Sequence, residues 1–323
     1  MTVMNVRRRL IPGSAAVAAT ALGLGALTAC SGSASADARD DGRLDVVASF
    51  YPLQYLAEEI GGSHVSVTTL TRPGQEPHDL EISARETARL QDADAVLYLK
   101  NLQPAVDDAV AQSGVKTKID AATLTTLEKH GNEVGGHAAA HDHGEGEDTG
   151  AADPHVWLDP VRFRQVAEGV TAALKKADPG HAADYATNMA ALGKKFTALD
   201  TDFREGLADT RTKTFITTHA AFGYLAERYG LTEEAVNGLD PESEPSANRV
   251  RALENLAKAD GVTTVFYETL ASDRTAGTIA RDVGLRTDVL DPLEGITDKS
   301  RGHDYMQVMR SNLKALQTAL GTK

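Results

Sequence analysis

Two trains of short β-branched runs, each alternating with helical patterns and separated by one long amphipathic stretch, constrain this chain more than any other feature. In the first train LDVVAS (44–49), VSVTTL (65–70) and AVLYL (95–99) read as strands. Helices are expected between them, over 53–60 with a stop at Gly61-Gly62, and from Ser83 to about Gln91, where Ser83 and Glu86 form a capping-box pattern. In the second train KTFITTH (213–219), VTTVFYE (262–268) and RTDVLD (286–291) read as strands. Helices are expected there over 220–229, 245–259, 273–283 and 303–320. Strand–helix alternation implies parallel sheets whose functional loops lie at the carboxyl ends of the strands.

Between the trains, Val161–Lys176 reads as a helix, and Asp178-Pro179 offers an N-cap acid followed by proline at the first helical position. From there Tyr185, Met189, Leu192, Phe196, Leu199, Phe203 and Leu207 step by threes and fours. A helix of about 28 residues spans about 40 Å, long enough to act as a rigid spine between two domains. A chain of 323 residues also exceeds one comfortable core. The expected fold is therefore α/β, with two lobes that each hold a parallel sheet flanked by helices. The N-terminal lobe spans 44–178, the linking helix 179–209 and the C-terminal lobe 210–323.

The formal net charge of −13 disfavours partners such as nucleic acid or anionic lipid heads, which need clustered Lys and Arg, and suits a cationic ligand. The single cysteine, Cys30, rules out an intramolecular disulfide and a cysteine-based zinc cluster. Arg7, Arg8 and Arg9 precede an uncharged apolar run that ends Leu27-Thr28-Ala29-Cys30, the pattern of an export signal over 1–29. Pro12, Gly13 and scattered small residues weigh against a membrane-spanning helix. The last four of these residues resemble a bacterial lipobox, in which the cysteine carries the lipid. Residues 30–43 then read as a flexible tether between that anchor and the folded body.

The stretch His130–Pro160 has two parts. His130, His137, His141 and His143 stand among Gly, Ala, Asp and Glu in a His-rich acidic loop, 130–152, read as a set of weak, exchangeable metal sites. Asp153-Pro154-His155-Val156-Trp157-Leu158-Asp159-Pro160 holds the only tryptophan and presents His155 beside apolar side chains. His78, His219 and Asp291 each fall at or just past a strand end. Neutral imidazole is the usual nitrogen ligand of zinc, and a carboxylate oxygen can complete a tetrahedron. The candidates have no local ligand spacing, so their shared position in the α/β pattern carries the argument. Tyr51 and Glu268 read as packing residues, and His64, His181 and His303 as surface or packing histidines.

Tyr51-Pro52-Leu53, Pro73-Gly74-Gln75-Glu76-Pro77-His78-Asp79, the 153–160 segment, Thr218-His219-Ala220-Ala221-Phe222-Gly223-Tyr224 and Leu290-Asp291-Pro292-Leu293 together resemble the metal-binding solute receptors of bacterial ABC transporters, the ZnuA/AdcA/PsaA-like lipoproteins. The resemblance covers nearly the whole mature chain. It implies two α/β lobes on one long helix, with metal bound in the cleft by His78, His155, His219 and Asp291. The fourth position stays open among Asp291, Glu76, water and a loop histidine. A histidine at 219, where manganese-type receptors carry Glu, implies a zinc type, and three imidazoles suit zinc better than manganese, which prefers oxygen. The implied function is extracytoplasmic capture of Zn2+ by a lipid-anchored monomer and delivery to a permease and its ATPase, with no catalysis. The alternatives are a manganese-type receptor, a zinc hydrolase using Glu76 as base, and a metal-stabilised adhesin. Affinity is expected to fall as pH drops through about 6.5. Metal is also expected to shift the loops around His219 and Asp291.

Overall fold

The structure, a computed structural model, describes residues 42–131, 133–134, 152–243, 245–270 and 274–322. Cys30, the export signal, nearly all of the tether and His137, His141 and His143 lie outside the described residues. Among the described residues no helix is long and apolar enough to cross a membrane.

The N-terminal lobe is built on β1 (Leu44–Ala48), β2 (Val65–Thr69), β3 (Ala95–Tyr98) and β4 (Thr117–Asp120), all parallel in the order β2-β1-β3-β4. β1 is central, with Val46 beside Val67 on one side and Ala95 on the other. Its Val46, Val47 and Ala48 are all buried, as expected of a parallel strand covered on both faces. The covering helices are α1 (Tyr51–Gly61), α2 (Ala84–Asp92) and α3 (Pro104–Gln112). The capping box at α2 forms, with Ser83 Oγ accepting from Glu86 N and the Glu86 carboxylate accepting from Ser83 N at 2.7 Å. α3 and β4 have no counterpart in the sequence reading. β4 buries only Ile119, and α3 buries only Val106, Ala109 and Val110, so neither shows a strong period.

After β4 the chain adds β5 (Glu133–Val134), which belongs to the other lobe. That sheet continues with β6 (Thr214–Thr217), β7 (Thr232–Ala235), β8 (Thr264–Tyr267) and β9 (Arg286–Val289), in the order β5-β7-β6-β8-β9. β6 to β9 are parallel, while β5 runs antiparallel along β7 and covers what would otherwise be a bare edge.

The lobes meet on α4 (Pro160–Ala177) and α5 (Ala182–Gly206), the long spine. α5 does not start at Pro179. A 3-10 turn over Pro179–His181 precedes it, because the Asp178 carboxylate takes the Tyr185 hydroxyl (2.6 Å) and faces His181 Nδ1 (2.7 Å) instead of capping backbone amides. α5 packs on α1 and α4 and also on α9 (Tyr305–Leu320), the last helix of the C-terminal lobe. Phe163 of α4, Phe196 of α5 and Tyr305 of α9 form one aromatic group with ring centroids 5.0–5.8 Å apart. One hydrophobic core, running from Val46 and Leu97 to Phe215 and Phe266, therefore passes through both lobes. Three shorter helices complete the second lobe: α6 (Gly223–Tyr229), α7 (Ala247–Ala259) and α8 (Arg274–Val283).

A candidate metal centre between the sheets

His78, His155, His219 and Glu294 come together although 216 residues separate the first from the last. One ligand atom from each lies within 4.8 Å of all the others. His78 sits in the loop after β2, His219 two residues past the end of β6, and Glu294 in the loop after β9, all at carboxyl ends of parallel strands.

Each side chain is aimed by its neighbours. Asp153 Oδ1 accepts from the His155 backbone N (2.9 Å) and lies 2.7 Å from His155 Nδ1, which leaves Nε2 facing Glu294 Oε1 at 3.3 Å. Glu268 Oε1, just past β8, lies 2.6 Å from His219 Nδ1 and accepts the Thr218 hydroxyl, so His219 Nε2 also faces Glu294 Oε1, at 3.6 Å. Glu268, read from sequence as packing, is thus the orienting partner of an imidazole. His78 Nε2 is 3.2 Å from the same oxygen, and its backbone N donates to Glu76 Oε1 at 3.1 Å. The His78 side chain is 12% exposed, whereas those of His155, His219 and Glu294 are fully enclosed.

Residues 46–319 match the family model described as zinc-uptake complex component A, periplasmic. The chain is 38% identical over 297 residues to the zinc-binding lipoprotein AdcA of Streptococcus pneumoniae, an alignment that covers 90% of this chain and 58% of that one. It is 34% identical over 300 residues to the high-affinity zinc uptake system protein ZnuA of Bacillus subtilis, covering 90% and 91% of the two. The Zn(II)-bound ZnuA-like domain of S. pneumoniae AdcA superimposes with a TM-score of 0.71 at 34% identity, over 86% of this chain and 99% of that domain. This chain belongs to the zinc-uptake component A family.

Within this ZnuA-like frame, Asp291 stands outside the converging group. Its Oδ1 accepts from Leu293 N (2.8 Å) and its Oδ2 from the Thr269 hydroxyl (3.2 Å), while its backbone is clasped by Asn312 of α9 at 3.0 and 2.7 Å. Asp291 makes the turn that delivers Glu294. The turn needs help, because Leu293 sits at φ 61°, a left-handed conformation disfavoured for a branched side chain. Trp157 supplies some of it by donating from Nε1 to Pro292 O at 2.7 Å. The sequence points to Asp291, three residues before Glu294, since an acid directly at a strand end is the stronger signal. Glu76 is also outside the converging set, and burial followed by the charge of Glu294 pushes its carboxyl up to about 9. His130 does not join the centre either and lies half-buried against Asp153.

At His155, His219 and Glu294 burial opposes charge, yet the pairing prevails. Asp153 outweighs burial to push His155 up to about 9, and Glu268 holds His219 well above the usual imidazole range. Glu294 is buried, but the three imidazoles hold it well below the usual carboxylate range. His155 Nε2, His219 Nε2 and Glu294 Oε2 are buried with no well-aligned hydrogen-bond partner. Unpaired buried polar atoms cost about 1–3 kcal/mol each, and a cation drawn to three imidazole nitrogens and one carboxylate oxygen would satisfy them.

Proposed function

We propose that this chain captures Zn2+ outside the cytoplasm, holds it between its lobes and yields it to the permease of an ABC importer driven by an ATPase. The ligands in this reading are Nε2 of His78, His155 and His219 and a carboxylate oxygen of Glu294. The observation that carries it is the convergence of these four groups, from loops of both sheets and from the segment before α4, with the second nitrogens of His155 and His219 each held by a carboxylate. Such backing fixes the tautomer and raises ligand basicity. Four protein ligands leave no position for an activated water, which a zinc hydrolase requires, and three nitrogens weigh against manganese. Membership of a zinc-uptake family and the zinc-binding names of its relatives support the same cargo. The lipobox-like residues ending at Cys30 support a lipid anchor on the outer face of the cell membrane.

The experiment is metal stoichiometry and competition on the purified mature chain, stripped and then offered zinc against manganese. One tight zinc equivalent, lost in His219→Ala and not displaced by excess manganese, is the expected result. Equal preference for manganese would overturn the cargo, and an unaffected His219→Ala would overturn the ligand set.

A further inference from the structure

His130 is the first histidine of the His-rich segment, but it occupies a built cradle. Its side chain is 9% exposed, with Nδ1 2.7 Å from Asp153 Oδ2 and Nε2 3.5 Å from Glu227 Oε2. The ring meets Tyr224 edge to face at 4.6 Å. The Tyr224 hydroxyl donates to Asp153 O and accepts from Glu128 N, both at 2.8 Å, and Asp153 N donates to Glu128 O, also at 2.8 Å. On the remaining side α6 opens with Gly223, where an added Cβ would come within 2.6 Å of the imidazole. The first residue of that helix is bare because His130 fills the space.

Asp153 connects this cradle to the metal centre. It is fully buried, and its two oxygens serve two imidazoles: Oδ2 faces His130 Nδ1, while Oδ1 takes the backbone N and faces Nδ1 of His155. A carboxylate gripped at one oxygen cannot rotate freely, so the His130 contact sets the plane in which Oδ1 meets His155.

We propose that His130 is a positioning residue of the metal centre, acting through Asp153 to hold His155 with Nε2 presented to the cation. This rests on the zinc-site reading above and separates His130 from the other histidines of its segment. Loss of such an outer partner typically lowers metal affinity about 10- to 100-fold.

The test compares the full mature chain with His130→Ala, with His130→Asn, whose amide nitrogen can reach the Nδ1 position, and with a triple variant in which His137, His141 and His143 are alanine. Zinc release to a chelator and the imidazole NMR signals of the zinc-loaded protein are read together. His130→Ala should release zinc about 10- to 100-fold faster and shift the His155 Nδ1–H resonance. His130→Asn should recover most of both, and the triple variant should match the parent. Wild-type release with an unmoved His155 signal in His130→Ala would overturn the proposal, as would a triple variant that reproduces the loss. A parent protein that takes up no zinc would overturn the receptor reading itself.

Discussion

At Leu293 the backbone enters the left-handed region, at a cost of about 1–2 kcal/mol, and the next residue is the carboxylate that faces three imidazoles. Asp291 and Glu294 therefore divide the work of one loop, and their variants should separate it. Glu294→Gln keeps the shape but removes the charge, and should weaken zinc binding by an order of magnitude or more. Asp291→Asn retains an oxygen for Leu293 N and should leave affinity within a few-fold of the parent. Competition against a chromophoric chelator measures both. The protons offer a second check. His155 is raised to about 9 and His219 lies well above its ordinary value, so zinc binding at pH 7 should displace protons from these rings. Affinity should keep rising with pH from about 6.5 towards 9, where unperturbed histidines would level off. Calorimetry in buffers of different ionisation enthalpy should find protons released at pH 7, and a count of zero would refute the coupling. Stability of the metal-free chain has the opposite sign: raised folded-state values contribute fully below about 6.5, and that contribution is lost as pH climbs through 9. At this scale the three histidines are legible from their places at strand ends and at the close of a loop. Glu294 is not, because which carboxylate that turn aims inward depends on Leu293, Asn312 and Trp157, and the role of Glu268 is not, because its partner His219 lies 49 residues away in sequence.

Elements with a strong period are readable and those under tertiary control are not. α2 announces itself through Ser83 and Glu86, and α5 through its apolar stripe. β7 reads Thr-Glu-Glu-Ala, a run that suggests a loop, yet all four residues are buried. Glu233 is tolerated because its Oε1 accepts from the Thr217 hydroxyl (2.8 Å) and from Phe222 N (3.2 Å), and Glu234 because Arg249 lies 2.9 Å away. Burial pushes the Glu233 carboxyl up to about 7, so the strand holds an acid where no propensity scale would place one. The start of α6 is set in the same way by a partner far off in sequence. Gly223→Ala would be favourable in an isolated helix, but here its Cβ meets the His130 ring. It should lower stability by about 1–3 kcal/mol, as overpacking does. Thermal melting decides the sign.

The two α/β series and the spine between them are visible in the sequence because each rests on repeated local patterns. That the lobes share one core is not visible, since Phe163, Phe196 and Tyr305 meet only in the fold. The shared core has a consequence for metal removal. A chain held together by aromatic and aliphatic packing should keep its far-ultraviolet dichroism when stripped with chelator. Zinc should then raise the melting point by mass action, worth about 4 kcal/mol at a thousandfold excess over Kd. Unfolding on stripping would instead mark a structural metal. The partial exposure of His78 bears on exchange. The His155 and His219 rings are braced at Nδ1 by Asp153 and Glu268, whereas Glu76 holds His78 only through its backbone N, and the His78 side chain is the partly exposed one of the four. In the proposed receptor, zinc would enter and leave past His78, the partly exposed side of the centre.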